Sequence, residues 1–416
     1  MAEATLHEPE WLAARRERAA SLRSTLDLPR FKGAPGWEFT ALDKLDLGAF
    51  GPAPADAELA LPEPLFELAE PVGLTQVDGA SEAGEAVSDG PIVMALDAAA
   101  REHPHLVEPY LGTIVSAEDD IFTATNDAGW AGGAFVHVPP GIKVDAPILL
   151  SAVTAAAGTA LQRRVLIVLD EGAEAEVWEQ YLSGDAESET LLNTVVELVV
   201  GQNARLRYVC GQDLNEKSWI FGAQRAEVAR DAKLDWVAVG FGSARGRVRM
   251  ETKLAGEGAE AKVTGAYAPH ARQHVDFDTT QEHAAAHTFS DLAFRGILSG
   301  RSSAVWRGVI KVDPGAQQTD AFQECRNLLL SKRAHVDAIP GLEILANDVR
   351  CTHAAAIAQI DKDQLFYLRS RGLPEPQAQR LVIEGFMAEL IERFEEGPVR
   401  DVLAGTLERR LATVLD

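Results

Sequence analysis

The chain has little that would hold it together covalently or tie it to a membrane. Only three cysteines occur in 416 residues, Cys210, Cys325 and Cys351. An odd, widely spaced set cannot build a disulfide framework and fits a reducing compartment. No run approaches the roughly 20 apolar residues that a spanning helix needs. The opening MAEATLHEPEWLAARRERAAS carries charges throughout and lacks the apolar core of a secretory signal, so the expected location is the cytoplasm, with no membrane. Positive charge is also short. A formal net charge of −24 argues against non-specific nucleic-acid binding, which depends on Lys and Arg neutralising phosphates.

Catalytic signatures are missing as well. There is no G-x-x-x-x-G-K-[ST] loop and no G-x-G-x-x-G after a strand, so no nucleotide site is expected on this chain. No motif speaks for or against a flavin. A G-x-S-x-G elbow is absent, and the many Asp and Glu residues form no distinctive pair for sugar chemistry. No CxxC occurs, whereas a four-iron cluster usually takes four thiolates.

What remains is a soluble-type composition, 46% hydrophobic and 25% charged, at a length that exceeds one compact core. Three textures divide it. Residues 1–118 read as a mixed or helical domain: a helix across Glu8 to Leu26 that ends before Pro29, then a Pro, Ala, Glu and Gly-rich linker-like stretch at 51–91. Residues 119–354 are short alternating runs such as RRVLIVLDEG, TVVELVVGQ and KLDWVAVGFG. In this region EGAEAEVWEQY, GQNARLRYV, RDAKLDWVAV and GEGAEAKVTGAY repeat one phrase: a turn residue, a small residue and a strand. Their small residues, Ala173, Ala204, Ala232 and Ala259, recur every 27 to 31 positions, the period of a solenoid. The expected architecture is mainly β, a stacked parallel β-helix whose end coils must be capped or paired. Residues 355–416 read as helical, with Gly372 ending one helix and Pro374 and Glu375 opening the next.

The segment from Arg307 to Phe394 contains NLLLS, then P-G-LEI, then C-T-H, then DKDQLFYLRSRG. These phrases in this order resemble the C-terminal half of the SufB/SufD family, and weaker similarity reaches back to about residue 120. Arg350-Cys351-Thr352-His353-Ala354 is similar to the SufD form of the phrase, because the SufB form typically has a glutamate where Ala354 stands. Cys325 lacks the surroundings of the essential cysteine of SufB. The resemblance implies a right-handed parallel β-helix between helical ends and a non-catalytic scaffold subunit for iron–sulfur cluster assembly. It implies pairing with a SufB-like chain, docking of the C-terminal helices on the ABC-type ATPase SufC, and sulfur supply by a cysteine desulfurase system. The cofactor it implies is a transient iron–sulfur cluster, or iron, shared with the partner. A SufB-type role and a homodimer remain alternatives.

Cys351 and His353 lie one residue apart, so on a strand both side chains share a face about 7 Å apart. A soft thiolate with an imidazole suits iron or an iron–sulfur unit. A free cysteine is more often a buried small hydrophobe, and that is the reading the residues alone favour. The resemblance marks His353 as a ligand at the partner interface. His270, His274, His283 and His287 form two H-x-x-x-H pairs, the spacing of a zinc site on a helix. Their neighbours Val275, Phe277 and Thr279 alternate as in a strand, which would hold the members of each pair about 13 Å apart. A structural or surface role is therefore expected. In the C-terminal region Leu381, Phe386, Leu390 and Phe394 form an apolar stripe that fits a helix core, and the resemblance implies partner docking there. A carbohydrate-active β-helix enzyme and a zinc hydrolase built on the histidines are the rival classes, and they predict polysaccharide turnover and stoichiometric zinc.

Overall fold

The computed structural model describes residues 8–55, 61–83 and 90–415. Two parallel sheets face each other along a β-solenoid of about eight turns, with helices at both chain ends. One sheet runs from Ala134–Val138 through Thr159–Leu169 and every second strand after it to His335–Ile344. The other starts with Val72–Val77 and Ile148–Thr154 and ends on Val349–Gln359. Each coil contributes one strand to each sheet.

The repeat read from the sequence is the geometry of one corner. Glu174, Arg205, Lys233 and Glu260 are register partners in successive strands, which stacks the preceding Ala173, Ala204, Ala232 and Ala259 in a column with no exposed surface. The residue before each alanine takes a left-handed conformation: Gly172, Asn203, Asp231 and Gly258 all have positive φ. Such a bend favours Gly, Asn or Asp. Two further coils keep the bend at His287 and Gln318 and place Thr288 and Thr319 in the column, with hydroxyls 3.2 Å apart. Threonine in place of alanine hides these coils from a search for the repeated phrase.

Large side chains fill the lumen, among them Tyr208, Trp236, Tyr267, Phe277, Phe294 and Trp306. Outside the second sheet, Ile383, Met387, Leu390, Phe394, Leu403, Leu407 and Leu411 cover Val209, Val237, Val239, Phe241, Ala266 and Ile297. Those strands are apolar on both faces, which explains near-continuous runs such as WVAVGFG.

The N-terminal helix is Glu10–Arg23, within the predicted span, and it packs on Ile121–Gly129. Arg15 bonds Asp127 at 2.8 Å, and the Arg16 guanidinium lies 4.4 Å over Trp130. The helix at Ile121–Gly129 precedes the continuous run of coil strands, which opens at Ala134–Val138, and the last strand runs on past 354 to Gln359. The linker-like stretch is partly structural. Val72–Val77 pairs in parallel with Ile148–Thr154 and forms a hairpin with Ala80–Ala83, while residues 56–60 and 84–89 lie outside the described residues. Gly73 permits this approach, since a Cβ there would sit 2.5 Å from the Leu149 carbonyl oxygen. At the C-terminus the helices are Lys362–Ser370, Glu375–Ile391 and Pro398–Leu415, with the break at Gly372 and Pro374.

Candidate functional site at the open end of the solenoid

The stack stops at Val349–Gln359, which among the described residues pairs only with Thr319–Leu329. Cys351 is the register partner of Ala321, and His353 that of Gln323. Ala321 and Gln323 are fully buried, and partners in a parallel ladder point to the same side. Cys351 and His353 therefore continue two lumen-facing columns to the point where no further coil covers them. Cys351 rests half-buried against the cluster of Ile310, Val312, Ala316 and Ala321, whereas His353 is exposed.

The opposite strand supplies the other wall of this end. Ile310 and Val312 pair with Leu342 and Ile344, so the same columns emerge as exposed Leu342 and Ile344, joined by Leu345 and by Ile357 at 49% exposure. The open coil thus presents an apolar rim around a thiol and an imidazole. Burial and the charge of Asp320 push the Cys351 thiol above its ordinary pKa, and Asp320 is itself held below the usual range by its ion pair with Arg350. Gln323, one coil inward, donates to the carbonyls of Gly308 and Gly341 at 3.0 and 3.1 Å, and its Oε1 has no partner. Nothing in the sequence distinguished Gln323, Leu342, Ile344 or Ile357, because the repeat does not say where stacking ends.

The other two cysteines are lumen residues. Burial pushes the Cys210 thiol up to about 12 and the Cys325 thiol up to about 11. Both are poor nucleophiles at neutral pH.

The four histidines do not converge. His274 and His283 open and close one strand, about 30 Å apart, while His270 and His287 lie in turns. His283 bonds Thr288 at 2.8 Å and Ser290 at 2.9 Å; His274 bonds Ser303 at 2.8 Å and Thr40 at 2.9 Å. His270 meets Glu216 at 2.7 Å. Among the described residues no three His, Cys, Asp or Glu side chains are grouped closely enough to hold a metal ion.

The C-terminal stripe divides in two. Leu390 and Phe394 are core, pressed onto the solenoid, and Phe386 is half-buried against it. Helix periodicity marks them as apolar but not which side meets the sheet. Leu381 is 50% exposed and lines a cleft of about 580 Å³ with Tyr367, Leu368 and Val382. Phe366, at 73% exposure, and Tyr367 are exposed apolar groups nearby; the helical spacing includes Phe366 but does not show that it is exposed. No helix among the described residues is long and apolar enough to cross a membrane.

Fold and site define a helix-flanked β-solenoid whose last coil is open and carries a thiol and an imidazole on its lumen-facing side. A family model described as "SUF system FeS cluster assembly, SufBD core domain" matches residues 152–386, and one described as "SufBD protein N-terminal region" matches residues 76–150. The chain belongs to the SufBD family of iron–sulfur cluster assembly proteins. It is 31% identical over 315 residues to the iron-sulfur cluster assembly protein SufD of Bacillus subtilis, an alignment covering 75% of this chain and 72% of that one. It is 26% identical over 399 residues to an iron-sulfur cluster assembly SufBD family protein of Staphylococcus saprophyticus, with 91% and 85% covered.

Proposed function

We propose that this chain is a SufD-type, non-catalytic subunit of the SUF scaffold. It pairs through its open coil with a SufB-like chain, so that a nascent iron–sulfur cluster, the cargo of the system, forms at the junction with His353 and Cys351 as ligands from this side. The observation that carries this reading is the emergence of both side chains from lumen columns at an uncapped edge ringed by Leu342, Ile344 and Ile357. An open strand edge with apolar neighbours favours pairing with another chain. Two donors fill only part of the usual ligand set, so the others would come from the partner. Of the two, His353 is the readier ligand, because the Cys351 thiol must first lose a proton that its surroundings retain. An ABC-type ATPase would dock on Phe366, Tyr367 and Leu381, with sulfur arriving from a cysteine desulfurase system.

The test is anaerobic affinity purification of the tagged chain from its own host, with stoichiometry by native mass spectrometry, repeated for His353→Ala. Recovery with a SufB-like chain and an ATPase is expected for both proteins, together with a several-fold lower cluster yield per complex for the variant. Recovery as a lone monomer would refute the scaffold reading, a pure homodimer would favour self-pairing through the same edge, and an unchanged cluster yield would remove His353 from the ligand set.

A further inference from the structure

Across neighbouring coils this protein usually sets opposite charges over one another. Lys233 meets Glu260 at 2.7 Å, Arg230 meets Glu257 at 2.6 Å, Arg207 meets Asp235 at 2.8 Å and Lys311 meets Glu282 at 2.8 Å. One corner departs from this rule. His274, Ser303 and His335 are register partners in three successive strands, and two residues before each stands an arginine: Arg272, Arg301 and Arg333. The turns stack directly, since the Arg301 amide donates to the Ala271 carbonyl at 2.7 Å and the His335 amide to the Ser302 carbonyl at 3.1 Å. The three arginines therefore form a column with steps of about 4.8 Å.

All three are exposed, as is Lys332 beside them. None of the four side chains has a hydrogen bond or ion pair among the described residues. With Arg245 they line a cleft of about 910 Å³ whose floor includes Ala244, Ala271 and Gly300. Glu216 is the only acid in the lining, and His270 already engages it at 2.7 Å. Arg245 is turned to the Ala41 carbonyl at 3.3 Å. Gly300 keeps the turns close: its φ is +64°, and a Cβ there would lie 3.0 Å from the backbone of Ala271.

Like charges stacked directly over one another destabilise a sheet, and among the described residues no carboxylate pairs with any of the four, although acids outnumber bases 63 to 39. We propose that this cleft is an anion site for a small organic molecule bearing linked phosphates, held by the column of Arg272, Arg301 and Arg333 with Lys332. Guanidinium forks bind phosphate oxygens in pairs, and a column two steps long, about 10 Å, spans several linked phosphates. The cleft has the size of a small-molecule pocket and has room beyond the phosphates for an organic part. A long polyanion is disfavoured, because the basic track is only three coils long and the net charge of −24 repels it.

Calorimetric titration of the full chain with tripolyphosphate at low salt tests this site, with orthophosphate and an octaglutamate peptide as separate arms. Tripolyphosphate is expected to bind more tightly than both, and Arg272→Ala/Arg301→Ala/Arg333→Ala to weaken it by about tenfold or more without lowering the thermal midpoint, which the relief of like-charge stacking should raise if it moves at all. The single charge swap Arg301→Glu, chosen in case the triple variant misfolds, is expected to cause a loss of the same order. Absence of tripolyphosphate binding, equal affinity in the substituted chains, or tighter binding of octaglutamate would each overturn the proposal, the last by assigning the cleft to an acidic protein segment.

Discussion

Glu197 ties the N-terminal segment to the solenoid, and removing its carboxylate should loosen one while sparing the other. Its two oxygens are fully buried and accept from the amides of Gly112, Ile114 and Val115 at 2.9, 3.4 and 3.3 Å and from Arg164 at 2.7 Å. In Glu197→Ala the Arg164 guanidinium, 1% exposed, keeps only Asp127 at 2.9 Å. Breaking a buried pair from one side costs about 3–5 kcal/mol, and each orphaned amide adds up to about 1–3 kcal/mol unless water reaches it. Because Asp127 remains and the segment can lift to meet water, we expect a net loss of about 4 kcal/mol, confined to the docking of residues 107–116. Urea unfolding would show an early transition, and hydrogen exchange would show lost protection at Gly112 to Val115 with the strands of the core unchanged. Arg164→Leu/Glu197→Leu should recover the ion-pair part of the loss but not the amide part. A loss under about 1 kcal/mol with unchanged protection at those amides would refute the assignment of the tether to this carboxylate.

Two further outcomes can be checked directly. Burial holds His283 neutral in the folded chain, with its pKa brought down to about 4. The unfolded chain protonates first, so stability present above pH 6.5 is lost as pH falls through 4, by about 1.4 kcal/mol per unit in that window. His283→Gln should remove this share of the slope between pH 6.5 and 4 in denaturant titrations, and an unaltered slope would contradict it. In the same window Asp276, raised to about 6 by burial, works in the opposite sense: the folded state binds its proton more tightly and gains stability as pH falls. At the C-terminal surface, Tyr367→Asp/Leu381→Asp should abolish co-purification of an ATPase with little effect on thermal stability, because neither residue belongs to the packed face. Retained co-purification would move the docking surface elsewhere.

The solenoid was legible because its corner constrains sequence. A left-handed residue followed by a buried alanine leaves little choice, and four coils repeat the phrase. The period faded where Thr288 and Thr319 take over the column and where His287 and Gln318 occupy the bend. The pair at Cys351 and His353 could be placed on one face of a strand, but its position on the last coil could not be read, since stacking is a long-range outcome. Leu390 and Phe394 were legible as apolar, not as the side that meets the sheet. The arginine column is hard to see by local reading, because its members stand about one coil apart and only two of the three turns share a phrase, LSGR at 298–301 and LSKR at 330–333.

In a one-dimensional stack each coil draws its stability from its own contacts and from those with its immediate neighbours. The coil that bears Cys351 and His353 has a neighbour on one side only, so it lacks an interface that the inner coils have. It is therefore the coil with the lowest cost of opening, and its amides should exchange first among those of the strands. The thiol and imidazole proposed as ligands thus ride on the part of a rigid rod that can rearrange most cheaply, where fraying and re-zipping can adjust their spacing while the rest of the core stays still.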